Sequence, residues 1–438
     1  MIEGPPWDLE KIHDYERGGH HPVHLEDILD KRYKVIHKLG SGGYANVWLC
    51  RDVTSEMPRY VAVKIIMAEA STKECPELRV NKLVQLGLDK DLLADHFCLP
   101  LDQFEIDGPN DLHYCLVYPV LGPRVSRLLN VDKLRDTGKA LRQICFQAIE
   151  AMAALHSHGI CHGDFRPTNI LARISGLDGL TEDEVFGALG KPKSTKVVTV
   201  SGDSHNESTA PQHLVYPISW DNVELSDLGA NFITNTACII DFGESFEVSD
   251  LPSELGIPQI YCSPEYTLDN DVGISSDIWA LGCTLFEIRT GRKLFDTFDD
   301  DPDEYLCKVA TILGRFPEPW WSTTWRRRKE LFEDSPDENR RVVEIRRDSK
   351  PEDAKTDTTH DEDKPRITIM HPPEARSLQD ALAAGLFYEN RGGPGGMRWG
   401  ICQEEIDLFS NLLAMIFNFN PRERLTPQAV LKHAWFEL

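Results

Sequence analysis

The sequence predicts an α+β fold in two lobes. A β-rich first lobe over 33–119 precedes a mostly helical second lobe over 120–438, and residues 1–32 form an N-terminal extension. Three observations predict this. Short β-branched and aromatic runs broken by turn residues fill 33–119, as antiparallel strands require. From Leu141 onward, apolar residues recur at spacings of three and four, the period of a buried helix face. Polar stretches over about 172–236 and 325–397 interrupt the second lobe and read as surface inserts.

At 438 residues the chain is long enough for both lobes. No apolar run nears the roughly 20 residues of a membrane-spanning helix. A formal net charge of −24 argues against direct nucleic-acid binding and favours basic partners. The eleven cysteines are scattered without a Cys-x-x-Cys pair, which fits reduced thiols in cytoplasm and nucleus. The Asn206-Glu207-Ser208 sequon is then expected to stay unmodified. Residues 1–30 lack the basic-then-apolar order of a secretory signal and read as an extended arm. Its His20, His21 and His24 are expected to be solvated and not metal ligands.

Tyr33–Leu39 runs into Gly40-Ser41-Gly42-Gly43-Tyr44 and returns through Val47-Trp48-Leu49, a strand, a glycine turn and a second strand. Glycine at 40 and 42 lets backbone N–H groups approach phosphate oxygens, and Val47 would close over an adenine ring. Leu39, Gly40, Ser41, Gly42, Gly43, Tyr44 and Val47 are therefore candidate nucleotide contacts. Tyr60–Ile66 is an apolar strand bearing Lys64, a cation that needs an anionic partner there. Glu77 is the best-placed carboxylate and Glu74 the alternative, on a segment expected to be helical through Leu78, Leu83 and Leu86. The strand ending at Tyr118 leads into Pro119–Pro123, which suits a hinge. Tyr118 would gate the back of the pocket and the Leu121 backbone would meet the base.

Leu141, Ile144, Cys145, Ala148, Ile149, Met152 and Leu155 predict a core helix ending at His158-Gly159. Directly after it comes His162-Gly163-Asp164-Phe165-Arg166-Pro167-Thr168-Asn169. This order suits phosphoryl transfer: Asp164 orients a hydroxyl, Arg166 faces the moving phosphate, and the Asn169 amide oxygen reaches magnesium. The strand Ala237–Ile240 then delivers Asp241-Phe242-Gly243, whose Asp241 would chelate magnesium. Ser263-Pro264-Glu265 is placed to end an activation segment, with Arg424 the candidate partner of Glu265. Asp277–Cys283 is apolar all round after its first residue, which predicts a buried helix capped by Asp277. Phe295–Glu304 is the densest acidic stretch and a candidate peptide-docking site. Residues 325–365 read as disordered or surface-draped, with Arg326-Arg327-Arg328-Lys329 a candidate nuclear-import patch.

From about Tyr33 to Phe436 this order of motifs resembles the eukaryotic protein kinase superfamily. Tyr15, Gly18-Gly19, His21-Pro22-Val23, Asp27, Arg32-Tyr33 and Lys38-Leu39-Gly40 look like the lead-in of SR-protein kinases, which phosphorylate serines in Arg/Ser-rich splicing factors. The long insert after Asn169 is similar too, and Ile239–Phe246 resembles the short fungal members. The resemblance implies a bilobal protein kinase fold with ATP and Mg2+ as cofactors. It also implies a monomeric serine/threonine kinase that acts on basic, Arg/Ser-rich protein substrates in the regulation of mRNA splicing. Carried over residue by residue, Asp164, Arg166, Lys64 and Glu77 are catalytic. Ala62 and Leu121 join the glycine turn in binding nucleotide, and Asn169 and Asp241 bind metal.

The chain departs from the family at Arg166, where lysine is usual, at Ala45 in place of the third glycine, and at Gly163, where many kinases have arginine. Without that arginine a phosphorylated loop has no local cation to grip, so activation by loop phosphorylation is not expected. Two other readings remain at this point. A small-molecule kinase of the aminoglycoside or choline type shares His-Gly-Asp-x-x-x-x-Asn, and a pseudokinase scaffold would be expected to lack a metal ligand or the nucleotide lysine.

Overall fold

The computed structural model describes residues 2, 5–6, 8–72, 75–79, 96–126, 137–205, 208–220, 232–338, 341–345, 375–387 and 398–438. Glu74, residues 81–86, the sequon's Asn206 and Glu207, and most of 346–397 lie outside these. The chain divides into two compact units, Met1–Leu251 and Pro252–Leu438.

The first unit is built on a six-stranded antiparallel sheet in the order β1-β2-β3-β4-β6-β5. Its strands are β1 (Ile28–Leu29), β2 (Tyr33–Ser41), β3 (Ala45–Asp52), β4 (Tyr60–Ile66), β5 (Asp102–Gly108) and β6 (Asp111–Pro119). The period-2 alternation of β-branched and aromatic residues gives both faces apolar cover. Val35, Trp48, Cys50, Val63 and Val117 share one core with Val23 and Leu25 of the N-terminal segment. Ile36, Leu49 and Tyr60, on the opposite face, share another with Leu177, Val185, Leu189, Ile218 and Phe232.

Two expectations are corrected by those cores. The N-terminal segment is not a loose extended arm: Val23 packs into the core of the sheet, Tyr15 is buried against Val197 and Leu214 of the insert, and His20 is buried. Nor is the first insert confined to the surface. Its helix Glu182–Leu189, closed by a Thr181–Glu184 capping box, is packed on the sheet. Glu182 pairs with Lys34 at 3.0 Å and Arg51 at 3.1 Å, and the Tyr60 hydroxyl donates to the Leu180 carbonyl at 2.7 Å. Polar composition hid this because the apolar face of the insert is short and its partners lie far away in sequence.

A smaller sheet of β7 (Leu121–Arg124), β8 (Ile170–Ile174) and β9 (Ile233–Ile239) follows. Helix Thr137–Ser157 buries all seven of the predicted core positions. Among the described residues, no helix is long and apolar enough to cross a membrane.

The second unit is centred on helix Ile274–Thr290, buried from Ser276 through Phe286 as its apolar circumference predicts. Its N-cap is Gly273, so Asp277 sits in the first turn and does not cap it. A Cβ on Gly282 would lie 2.7 Å from Ile416 and Phe417, so glycine there lets a second helix, Gln403–Ile416, approach closely. Arg424 reaches Glu265 through two bonds of 2.5 and 2.6 Å, both side chains being buried. Removing one partner of such a pair costs about 3–5 kcal/mol. A second buried pair, Arg289 with Glu405 at 2.7 Å, gave no sign in the sequence pattern.

Residues 325–338 are not disordered. Trp325, Arg328 and Phe332 are buried in an aromatic cluster with Trp321. The basic run is therefore not four free cations: Arg328 bonds Asp334 at 2.6 Å, and Arg327 pairs with Asp303 at 3.0 Å.

Candidate active site

The candidate site lies within the first unit. Strand β4 delivers Lys64 opposite Val47 of β3, and Ala62 opposite Tyr118 of β6. Val47, Ala62, Leu121 and Leu39 belong to one apolar cluster that also takes in Leu171 of β8. Leu171 was missed as a site residue. It stands two residues after Asn169, and strand alternation turns it to this cluster while Ile170 is fully buried. Between β2 and β3, the Gly42 N–H closes the turn on the Ala45 carbonyl at 2.9 Å. A Cβ on Gly40 or Gly43 would meet nothing within 4 Å. Ser41 and Tyr44 flank the turn and are exposed. The backbone there is free to meet a ligand, as phosphate oxygens require.

Lys64 is held between two carboxylates, Glu77 and Asp241, each at 2.9 Å. Burial opposes its charge, but Glu77 and Asp241 together outweigh burial and raise its pKa. Glu77 is the partner the sequence favoured, though it sits in a 3-10 turn, Pro76–Arg79. Its other oxygen accepts from the Tyr118 hydroxyl at 3.1 Å. Tyr118, Glu77, Lys64 and Asp241 thus form one connected chain. Lys64 holds the Asp241 carboxyl below its usual range despite burial. Asp241 itself has φ +65°, an uncommon conformation for a non-glycine residue and one that clusters at functional positions.

The loop from His162 forms a second cluster. Asp164 is buried, and burial raises its pKa against the opposing pull of Arg166, His162 and Asn169. The Asn169 amide donates to Asp164 Oδ2 at 2.8 Å and to the Asp164 carbonyl at 2.9 Å, which leaves its own amide oxygen uncommitted. Arg166 Nε donates to Asp164 Oδ2 at 2.9 Å. It also lies 2.8 Å from Oδ1, outside hydrogen-bond geometry, so buried Oδ1 has no donor.

The clusters are joined by His162 Nε2, which donates to the Ile240 carbonyl at 3.1 Å, and by the Ile240 N–H, which donates to the Asn169 carbonyl at 3.0 Å. All the predicted catalytic and metal-ligating residues are brought into these two connected groups. For magnesium the donor set fits: the uncommitted Asn169 oxygen and the ionised Asp241 carboxylate are hard oxygen ligands. Nothing the pseudokinase reading expects to be lost is missing.

A family profile for the protein kinase domain matches residues 33–177 and 229–436, passing over the first insert. The chain belongs to the protein kinase domain family. It is similar to Protein kinase dsk1 of Schizosaccharomyces pombe, 25% identical over 402 residues, 73% of this chain and 72% of that one. It is also similar to Serine/threonine-protein kinase SRPK of Physarum polycephalum, 28% identical over 321 residues, 70% of this chain and 73% of that one. Serine/threonine-protein kinase spk-1 of Caenorhabditis elegans is 32% identical over 212 residues, 48% of this chain but 20% of that one. The chain is an ATP-dependent serine/threonine protein kinase, and the small-molecule reading is set aside.

Proposed function

We propose that this kinase transfers the ATP γ-phosphate to serines of basic, Arg/Ser-rich proteins, with Asp164 receiving the substrate hydroxyl. The observation that carries the chemical part is Asp164 Oδ1, a buried carboxylate oxygen without a hydrogen-bond donor beside Arg166 and Asn169. Arg166 pairs with this oxygen by charge but does not hydrogen-bond it, so an incoming hydroxyl can donate to it.

Lys64, fixed by Glu77, would hold the α- and β-phosphates, with the backbone of residues 40–43 closing over them. Leu39, Val47, Ala62, Leu121 and Leu171 would line the base. Asn169 and Asp241 would hold magnesium, which when bound neutralises charge on the phosphates. Arg166 would face the moving phosphate from beside Asp164. Each of these roles is positional or electrostatic, as phosphoryl transfer needs.

The substrate class is supported by the similarity to SR-type kinases, the net charge of −24, and the exposed Asp296, Asp299 and Asp300. Asp303 of the same run is tied to Arg327 and to the Trp325 indole N–H at 2.7 Å, so only part of the acidic stretch stands free to receive arginines. We place the protein in cytoplasm and nucleus, where such substrates occur. The test of the chemical part is labelled-ATP transfer to an Arg/Ser-repeat peptide by wild type and Asp164→Asn. The variant should lose at least about a hundred-fold in kcat, while Mg–ATP binding stays intact. A variant with near-wild-type kcat would overturn the role of Asp164.

A further inference from the structure

Lys38 is a buried cation that the proposed chemistry does not use. Its side chain is 0% exposed, one residue before the Leu39-Gly40 turn, with its ammonium 5.2 Å from the Trp48 ring centroid. Its counter-charge is Glu10, 2% exposed, whose other oxygen accepts from the Tyr15 hydroxyl at 2.6 Å. The Lys38 carbonyl accepts from the Ile218 N–H of the insert at 2.9 Å. The strand that carries the glycine turn is thereby held from both sides at one residue.

The same N-terminal segment reaches the other half of the nucleotide site. Gly18 and Gly19 carbonyls accept from Glu69 at 2.8 Å and Ala68 at 3.1 Å, on the short link between Lys64 and Glu77. The turn that presents these carbonyls closes only because position 19 is glycine: a Cβ there would lie 1.9 Å from the Asp14 carbonyl of the same segment. Asn110, fully buried, fixes it from behind, donating to the His20 carbonyl at 2.6 Å and the Thr209 carbonyl of the insert at 2.8 Å. Gly108 leaves room for the His21 ring, which a Cβ would meet at 2.4 Å.

We infer that Glu10 and Lys38 are positioning residues for nucleotide binding. Residues 10–24 act as a built-in brace that sets the glycine turn and the Glu77-bearing turn at the spacing Mg–ATP needs. The inference rests on the reading above, in which Lys64, Glu77 and the glycine turn hold nucleotide. It deepens that reading by naming what holds them. Glu10→Gln would leave Lys38 a buried cation without its counter-charge, which the chain can relieve by releasing the brace.

The experiment uses the full chain and compares wild type, Glu10→Gln, Tyr15→Phe and the double variant Glu10→Leu/Lys38→Met. Mg–ATP affinity is measured by calorimetry, KM for ATP and kcat on an Arg/Ser peptide, and hydrogen exchange at residues 66–79. Glu10→Gln should raise both Kd and KM for ATP about ten-fold, with kcat falling less, and speed exchange of the Ala68 and Glu69 amides about ten-fold. Tyr15→Phe, which keeps the ring and should fold, should raise them about two- to three-fold. The double variant, with no buried charge, should recover most of the affinity. Unchanged Kd and KM in Glu10→Gln and Tyr15→Phe, with only a lowered melting temperature, would reduce the brace to general stability and overturn the inference. So would a well-folded double variant that binds ATP no better than Glu10→Gln. If wild type binds Mg–ATP but phosphorylates no Arg/Ser peptide, the substrate reading fails while the Kd values still decide the brace.

Discussion

The Glu244 carbonyl lies 2.1 Å from where a Cβ on Gly163 would stand, and Gly163 has φ +78°. The glycine that replaces the usual arginine is therefore a geometric requirement of the backbone beyond Asp241. No side chain fits there without moving Glu244, and a left-handed conformation adds its own penalty for any other residue. Gly163→Ala is expected to cost about 2–4 kcal/mol and to lower kcat at least about ten-fold, through displacement of Asp164 next to it. Thermal melting and steady-state kinetics check this.

The same relationship bears on activation. With no arginine at 163 to grip a phosphate, alanine at Ser249 and Ser253 should leave kcat/KM within about two-fold of wild type, before and after phosphatase treatment. A phosphorylated residue in 244–262 whose loss abolishes activity would contradict it.

Arg166 donates to Asp164, so its charge acts on the carboxylate as well as on any phosphate. Removing it should raise the pKa of Asp164, because an opposing cation that favours the ionised form is gone. The acid limb of kcat/KM should then move to higher pH in Arg166→Met, with kcat reduced about a hundred-fold. Arg166→Lys, which keeps the charge without the planar fork, should move the limb less and keep most of the activity. A pH–rate profile of the three proteins checks this.

Tyr118 holds Glu77 by its hydroxyl. A hydrogen bond to a charged group contributes about 1.5 kcal/mol, so Tyr118→Phe should lower kcat/KM for ATP about ten-fold with the fold unchanged. Combined with Glu77→Gln, the two effects should fall short of additive, since both act on one contact.

Burial, and His113 beside it, lower the His21 pKa to about 4. Its buried Nδ1 has no partner. Because the folded value lies below the unfolded one near 6.5, the contribution is complete above that pH. It is lost as pH falls toward 4, where the unfolded chain takes a proton the folded chain resists. By pH 5 the loss from His21 alone should be about 2 kcal/mol. Burial lowers the pKa of His20 and His113 as well, which adds to the same slope. Urea midpoints at pH 7 and pH 5 should differ less in His21→Asn than in wild type.

Local chemistry made the strands, the Lys64–Glu77 pair, the Asp164 loop and the Glu265–Arg424 pair legible, because each partner lies in a recognisable motif. Period and spacing carry no information about partners that meet only after folding. Glu10 finding Lys38, the insert helix covering Ile36 and Leu49, and Arg289 finding Glu405 are of that kind. The histidines misled for the same reason: a polar, proline-containing stretch reads as solvated until a sheet is there to bury it. Trp325, Arg328 and Phe332 were lost in a charged composition that masked three residues of core.

The most direct measurement is the ratio of kcat/KM for an Arg/Ser-repeat peptide over a neutral serine peptide of equal length, with labelled ATP and purified full-length chain. An Arg/Ser-directed kinase with an acidic surface should favour the repeat at least about a hundred-fold, less so as salt rises. Equal labelling of the two peptides would contradict the proposed substrate class, and no labelling of either would contradict phosphoryl transfer through Asp164.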